Sequence, residues 1–188
     1  MSSHHIVREK QEPALLILDL TDFEEEHLGQ LLEWSPTVLV NDGSAEKMQS
    51  LGIKFDVLLT VTENRFLQEH LRVVPILENA LKTGLQFLVD EKYPAVNIIT
   101  GKRSMADFLV FADRITLVIF SQNQKIYPIS SGFNKWKTTG ERIEIIHPPK
   151  DLSFEGLDQI SHNQYQTKAD GFFTLKFAQP LLFIAEEV

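Results

Sequence analysis

The sequence contains no cysteine, which excludes a disulfide framework, a thiolate metal site and a cysteine nucleophile. It has no apolar run long enough to span a bilayer, and residues 1–10 lack the apolar segment of a secretory signal. Basic residues are scarce, because 18 Lys and Arg stand against 26 Asp and Glu and leave a formal net charge of −8. That excess of acid argues against a general binder of nucleic acid or of anionic membranes. We therefore expect a cytoplasmic protein with neither kind of partner.

Short apolar runs take the place of long ones, and 43% of the 188 residues are hydrophobic, which is enough to build a core. Continuous apolar runs predict strands buried on both faces of a parallel sheet. They lie at residues 14–20, 38–40, 55–60, 96–100 and 115–120, and a short edge strand is expected at residues 73–76. Between the runs, apolar residues at helical spacing predict helices, most clearly from Leu77 to Leu88.

Polar residues ahead of the helical segments predict where those helices begin. Helix caps are expected at Thr21 or Asp22, at Ser44 and at Ser104. In the first helix, the side chains expected to share one side are Phe23, His27, Leu31 and Trp34.

Beyond Gln122 the hydrophobic period changes from about 3.6 to about 2, which is typical of antiparallel strands. Such strands are expected at residues 124–129, 142–147, 172–177 and 181–185, with Phe173, Leu175 and Phe177 on one face. The predicted fold class is therefore α/β. An open, mostly parallel sheet with flanking helices forms an N-terminal domain of residues 1–121, and a small all-β sandwich domain of residues 122–188 follows.

Asp42 and Gly43 follow one predicted strand and precede a helix. They therefore lie at the carboxyl end of the sheet, where open α/β folds bind ligands. One interpretation is a phosphate or metal–phosphate site, in which Gly43 admits the ligand to the helix amides and Asp42 holds a cation. The alternative is an ordinary turn in which Asp42 supports the next helix, and for an isolated Asp-Gly pair that is the more common case.

Two other strand ends carry polar residues. Lys102 and Arg103 follow Gly101, and a phosphate clamp and a solvated turn explain them equally well. Asp19, Thr21 and Asp22 end the first strand and could reach the same cleft as Asp42, although helix capping alone explains Thr21 and Asp22. The absence of glycine from that turn counts against phosphate binding there.

The remaining residues indicate no other chemistry. The six histidines lack the spacing of a zinc site, and no serine has the context of a hydrolase nucleophile. Trp136 and the Phe-rich C-terminal strands could form a stacking platform for an aromatic ring, but such residues more often belong to a sandwich core or a dimer interface.

Several short motifs occur in a consistent order along most of the chain. They are Asn41-Asp42-Gly43-Ser44 (A-D-G-G), residues 51–57 (L-G-I-x-P-D), residues 99–103 (a G-G-R strand end), Gly156-Leu157 (G-L) and residues 160–163 (I-S-N-E). Each motif is weak alone, but their order and spacing resemble the thiamin pyrophosphokinase family.

This resemblance implies an enzyme that moves a diphosphate group from ATP to thiamin. It implies an α/β domain followed by a β-sandwich, and a homodimer with its site between subunits. It also implies roles for individual residues, with Asp42 and Glu63 as catalytic Mg²⁺ ligands, Gly43, Lys102 and Arg103 as ATP-binding residues, and Ser161 and Asn163 as contacts to thiamin.

The departures from the family pattern fall on the chemistry. The G-D-F-D-S loop of the family reads Thr60 to Asn64 here, so Val61 and Glu63 replace its aspartates. The K-D-x-T-D motif is missing, the R-x-D-H motif is disrupted after Arg103, and the Gly-rich first loop reads Leu18-Asp19-Leu20-Thr21. We therefore expect reduced, altered or lost kinase activity. The alternatives are a non-catalytic dimeric relative that binds a ligand or acts as a scaffold, and an unrelated α/β module with a β extension.

Overall fold

A computed structural model describes residues 10, 12–62, 66, 68–102 and 104–188. The chain divides into two compact units, Met1–Leu117 and Val118–Val188. The boundary predicted at Gln122 falls in the turn after the division, and the domain assignment itself stays a prediction. None of the described helices has the length and apolarity needed to cross a membrane.

The first unit alternates strands with helices, as predicted. Its elements are β1 (Ala14–Ile17), α1 (Glu25–Leu32), β2 (Val38–Asn41), α2 (Asp42–Ser50), β3 (Val57–Thr60), β4 (Arg72–Pro75), α3 (Ala80–Asp90), β5 (Ala95–Ile99) and α4 (Met105–Leu109). Its strands pair in the parallel order β5-β1-β2-β3-β4. Every residue of β1 and β3 is buried, because a parallel sheet is covered on both faces. The parallel sheet, the flanking helices and the edge strand β4 are therefore confirmed.

The second unit is built from antiparallel strands. They are β6 (Thr116–Ser121, which contains the division), β7 (Gln124–Ile129), β8 (Phe133–Lys137), β9 (Arg142–Ile146), β10 (Ser153–Glu155), β11 (Leu157–Gln159), β12 (Gln164–Thr167), β13 (Gly171–Lys176) and β14 (Leu182–Glu187). Six strands pair in the order β11-β12-β9-β14-β7-β6, and β10-β13-β8 form a separate small sheet. The α/β class is thus confirmed in its coarse form, and the small sheet supports the predicted sandwich in part.

Both sheets of the second unit contribute to one apolar core. Phe173 and Leu175 of β13 and Phe177 beyond it are buried, and they cluster with Ile143, Ile145 and Ile184 of the larger sheet. The predicted alternation along β13 is therefore confirmed. Trp136 and its cross-strand partner Phe172 are 52% and 67% exposed, so the interpretation of Trp136 as a core residue is wrong. Four of the strands (β8, β10, β11 and β12) were not predicted, because they are short and largely polar.

The first helix begins later than predicted. Its N-cap is Glu24, whose side chain makes no capping hydrogen bond. The Thr21 hydroxyl instead donates to Asp19. Leu28 is the buried residue of this helix, whereas Trp34 is exposed. The expectation that Trp34 shares one side of this helix is therefore wrong, because the helix ends at Leu32 before the chain reaches it.

Asn41, and not Ser44, caps α2. The Asn41 side-chain oxygen accepts a hydrogen bond from the Ser44 amide at 2.9 Å, and its amide nitrogen donates to the Leu18 carbonyl at 2.9 Å. Asn41 therefore ties the start of α2 to the end of β1. Ser44 lies inside the first turn and is buried, and Ala45 and Met48 face inward as predicted.

We expect Asn41→Ala to destabilise the protein by about 1–3.5 kcal/mol, because it removes a cap worth about 0.5–2 kcal/mol and a second hydrogen bond worth about 0.5–1.5 kcal/mol. Asn79→Ala is the matched control, since Asn79 caps α3 through Lys82 by the same geometry at 2.9 Å. Chemical denaturation of both variants checks the prediction. An Asn41→Ala loss no larger than that of Asn79→Ala would contradict it.

Candidate functional site

A cleft of about 290 Å³ opens where β1 and β2 end. One side is the turn after β1, and the other is the first part of α2. The lining residues are Leu18, Asp19, Leu20, Thr21, Gly43, Ser44 and Lys47. The cleft therefore occupies the carboxyl edge of a parallel sheet, which is where open α/β folds bind their ligands.

The Asp19 carboxylate is held in place by its own turn. Its Oδ1 accepts hydrogen bonds from the Thr21 hydroxyl at 2.7 Å and from the Thr21 amide at 2.9 Å. The side-chain bond first and the backbone bond second lower the pKa of Asp19 and outweigh the opposing effect of burial. The group is therefore ionised at neutral pH.

The other oxygen of Asp19 lies against the backbone after β5. A Cβ atom at Gly101 would lie 2.6 Å from Asp19 Oδ2. Glycine at position 101 thus leaves room for the carboxylate in its present orientation. Residues 18–21, where the resemblance implies a Gly-rich turn, therefore place a fixed negative charge in the cleft.

The α2 side of the cleft offers hydrogen-bond donors and positive charge. Ser44 and Lys47 are three residues apart on the helix, so their side chains share one face. Ser44 is 3% exposed, and its Oγ has no hydrogen-bond partner within the described part of the chain. Lys47 makes no ion pair with any described residue. The amides at the helix N-terminus add partial positive charge.

The cleft therefore places a carboxylate opposite a hydroxyl, an ammonium group and a helix N-terminus. A buried polar atom without a partner loses hydrogen-bonding energy that a ligand can restore. This arrangement suits a small polar ligand that both donates to Asp19 and accepts from the α2 side.

The structure places one predicted site residue of the first unit in the lining of the cleft and others outside it. Gly43 lines the cleft. Asp42 begins α2 and is half-buried, but it is not part of the lining. Lys102 is exposed after β5, and its amide donates to the Thr100 hydroxyl at 3.2 Å. Glu63 and Arg103 lie outside the described residues, so their roles stay predictions, as do those of Asp42 and Lys102.

Ser161 and Asn163 lie in the turn between β11 and β12 of the second unit. The Asn163 amide nitrogen donates to Glu144 Oε1 at 3.1 Å, and its backbone carbonyl accepts from the Ile145 amide at 2.8 Å. The Ser161 hydroxyl lies 3.4 Å from Asn163 Oδ1. These contacts attach the turn to β9. The predicted contact of both residues with thiamin stays a prediction.

A Mg²⁺ ion is implied by the resemblance, and the described residues do not fit a complete site for it. No three His, Asp or Glu side chains gather among the residues that the structure describes. Asp42 stands at a helix N-terminus, where the amides favour an anion over a cation. We therefore derive no chemical step through a metal.

Sequence reasoning missed Ser44 and Lys47 as cleft residues. Ser44 was predicted as a cap because it follows Asp42-Gly43. Asn41 is the cap instead, and Ser44 lines the cleft. The available signal was spacing, since Lys47 lies three residues after Ser44 and four after Gly43 on a helix that starts at a strand end.

Comparison with known proteins gives a consistent result at the level of structure. The sequence matches no family model and no curated protein. Thiamin pyrophosphokinase from Candida albicans aligns over 95% of this chain and 90% of its own, with a TM-score of 0.66 and 8% identity.

Two bacterial structures agree with it. Thiamine pyrophosphokinase from Bacillus subtilis covers 94% of this chain and 99% of its own, with a TM-score of 0.59 and 13% identity. Thiamin pyrophosphokinase from Geobacillus thermodenitrificans covers 93% of this chain and 97% of its own, with a TM-score of 0.61 and 13% identity. The resemblance read from the motifs is therefore confirmed, and this chain has the thiamin pyrophosphokinase fold.

Proposed function

We propose that this protein binds a small molecule in the cleft between the ends of β1 and β2, and that its transfer of diphosphate from ATP to thiamin is reduced, altered or lost. The observation that carries the proposal is the ionised Asp19 in the same cleft as Ser44 and Lys47. The fold is that of the thiamin pyrophosphokinases, and Asp19, Ser44 and Lys47 are the cleft residues by which we expect this protein to differ from them.

Reduced transfer of diphosphate is expected on electrostatic grounds. Diphosphate transfer brings several negative charges together, and metal ions with basic groups provide most of the stabilisation of the transition state. Asp19 adds a further negative charge at a turn that is Gly-rich in the family. The cost of one unfavourable or missing charged partner is about 10²–10³ in rate.

Binding of a small molecule is expected to be retained because of the groups on the α2 side of the cleft. Ser44 Oγ is buried and unpartnered among the described residues, and Lys47 is available to a ligand. Both groups favour an occupant with an anionic or acceptor end. Homodimerisation and a cytoplasmic location, expected from the sequence, remain part of the proposal.

For any remaining transfer, the resemblance assigns the same roles as before. Asp42 and Glu63 would be the Mg²⁺ ligands, although the described residues alone form no complete metal site. Gly43, Lys102 and Arg103 would bind ATP, and Ser161 and Asn163 would contact thiamin.

The test is the rate of thiamin diphosphate formation from MgATP and thiamin, measured beside the Bacillus subtilis enzyme under the same conditions. We expect a rate at least about 10²-fold lower for this protein, with a further loss in Asp42→Asn if any activity remains. Turnover equal to that of the bacterial enzyme would overturn the proposal of reduced transfer.

Binding is tested separately by titration calorimetry with MgATP and with thiamin. Ser44→Ala and Lys47→Met should weaken the binding of MgATP, because both residues favour an anionic group. Lys54→Met is the matched control, because Lys54 is exposed beyond the end of α2 and does not line the cleft. Equal weakening by all three variants would contradict a role for the cleft.

A further inference from the structure

We propose that the cleft recognises a small zwitterion, with the ammonium group of the ligand at Asp19 and its phosphate or carboxylate at Ser44 and Lys47. This inference rests on the proposed function, which places a small-molecule ligand in the same cleft. It names the chemical class of that ligand and makes Asp19 the residue that determines specificity.

The anionic end is assigned from the α2 side. α2 has nine residues and begins at Asp42, so its first turn presents backbone amides without helical partners. Ser44 lines the cleft at 3% exposure, and its Oγ has no partner among the described residues. Lys47 lies one turn further on the same face and carries no ion pair there. A hydroxyl, an ammonium group and helix amides form a donor set for one anionic group.

The cationic end is assigned from the β1 turn. Thr21 occupies Asp19 Oδ1 with two hydrogen bonds, while Asp19 Oδ2 accepts none from the described residues. The Thr21 bonds also fix the orientation of the carboxylate, so it can bind a donor without first losing side-chain freedom. An ammonium group forms a charge-assisted hydrogen bond with an ionised carboxylate, which is roughly twice as strong as a bond between neutral groups.

The size and the charges of the cleft favour a zwitterion over a ligand that carries only one charge. At about 290 Å³ the cleft lies at the small end of ligand pockets. A free phosphate gains the donors of α2 but is repelled by Asp19, and a free amine gains Asp19 but is repelled by Lys47. A molecule that carries both charges satisfies both sides, and specificity then arises from attraction and repulsion acting together.

The test uses calorimetric titration of the full chain with five probes in the absence of ATP. Phosphoethanolamine and β-alanine carry an ammonium group with a phosphate and with a carboxylate, respectively. Ethanolamine, inorganic phosphate and propionate carry only one of these charges. We expect at least one zwitterion to bind about tenfold or more tightly than each of its own single-charge counterparts. The stronger zwitterion identifies the anionic group.

Variants assign the two ends. Asp19→Asn should weaken the zwitterion about tenfold and strengthen inorganic phosphate, whereas Lys47→Met should weaken the zwitterion and strengthen ethanolamine. Asp22→Asn is the matched control for Asp19, because Asp22 is exposed, three residues along and outside the lining. Thermal unfolding of each variant establishes that it is folded.

Two results would overturn the inference. One is binding of a zwitterion no tighter than of its single-charge counterparts, including no binding of any probe. The other is an equal effect of Asp19→Asn and Asp22→Asn. Zwitterion binding and reduced diphosphate transfer can each be disproved without the other. Full kinase turnover with the expected probe pattern would remove only the proposal of reduced transfer, and low turnover without that pattern would remove only the zwitterion.

Discussion

Gly156→Ala is expected to destabilise the protein by about 2–5 kcal/mol. Gly156 has a φ of +76°, where an L-residue with a Cβ is strained by about 1–2 kcal/mol. A Cβ there would lie 2.7 Å from the Phe172 carbonyl oxygen and 3.1 Å from Phe173 Cα. Both are backbone atoms of β13 and cannot rotate away, so the clash adds about 1–3 kcal/mol.

Gly132→Ala separates the two contributions. Gly132 also has a positive φ, +86°, but a Cβ there would meet nothing within 4 Å. The free energy of unfolding of Gly132→Ala should therefore fall only by the cost of backbone strain, about 1–2 kcal/mol. Chemical denaturation of the two variants measures the difference. Equal losses would show that β13 yields to the new methyl group and that the close packing at Gly156 is not important for stability.

Lys135→Met is expected to cost about 2–3 kcal/mol. Lys135 Nζ lies 2.8 and 2.7 Å from the two carboxylate oxygens of Glu186, whose side chain is only 7% exposed. The Tyr127 hydroxyl also donates to Glu186, at 2.8 Å. Removing the cation leaves a buried carboxylate with reduced compensation, which typically costs about 3–5 kcal/mol.

The expected loss lies below that range for two reasons. Lys135 is 35% exposed, and Lys137 remains 3.5 Å from Glu186. Lys82→Met is the matched control, because Lys82 pairs with Glu78 at 2.8 Å on the surface of α3. Surface pairs of this kind contribute little, so the control should unfold close to the unsubstituted protein. A Lys135→Met loss as small as that of the control would contradict the prediction.

The same network predicts a dependence on pH. Burial raises the pKa of Glu186, but the hydrogen bonds from Lys135 and Tyr127 outweigh it and leave the folded pKa below the ordinary value of 4.5. Glu186 therefore adds stability above the unfolded pKa, and that contribution is lost as the pH falls through the lower, folded pKa. In Lys135→Met the strongest hydrogen bond that lowers the pKa of Glu186 is lost, so the folded pKa lies closer to the unfolded one and less stability is lost as the pH falls. Glu186→Gln should remove this part of the acid dependence, as unfolding curves across the acid range would show.

The parallel sheet could be predicted because its pattern is local. Strands such as β1 and β3 are buried on both faces, so nearly every residue must be apolar, and that run is visible in the sequence. The short strands β10, β11 and β12 were missed, because a three- or four-residue strand with one exposed face carries little periodic signal.

Helix starts were less predictable, because several polar residues compete for each one. Asn41 and Ser44 can both cap a helix, and the choice followed from a second bond, that of Asn41 to the Leu18 carbonyl. Nothing in the local sequence reveals that bond, since Leu18 lies in the turn after β1, 23 residues away.

The residues alone determined the class of this protein, the position of its candidate ligand-binding edge and its resemblance to the thiamin pyrophosphokinases, because these follow from periodicity and from the order of short motifs. Only the tertiary structure decided the character of the cleft. Asp19 lies in the turn after β1, whereas Ser44 and Lys47 lie on α2. Each has an ordinary local explanation as a turn, a cap or a surface residue. They become a candidate site because parallel pairing of β1 with β2 brings the ends of the two strands together.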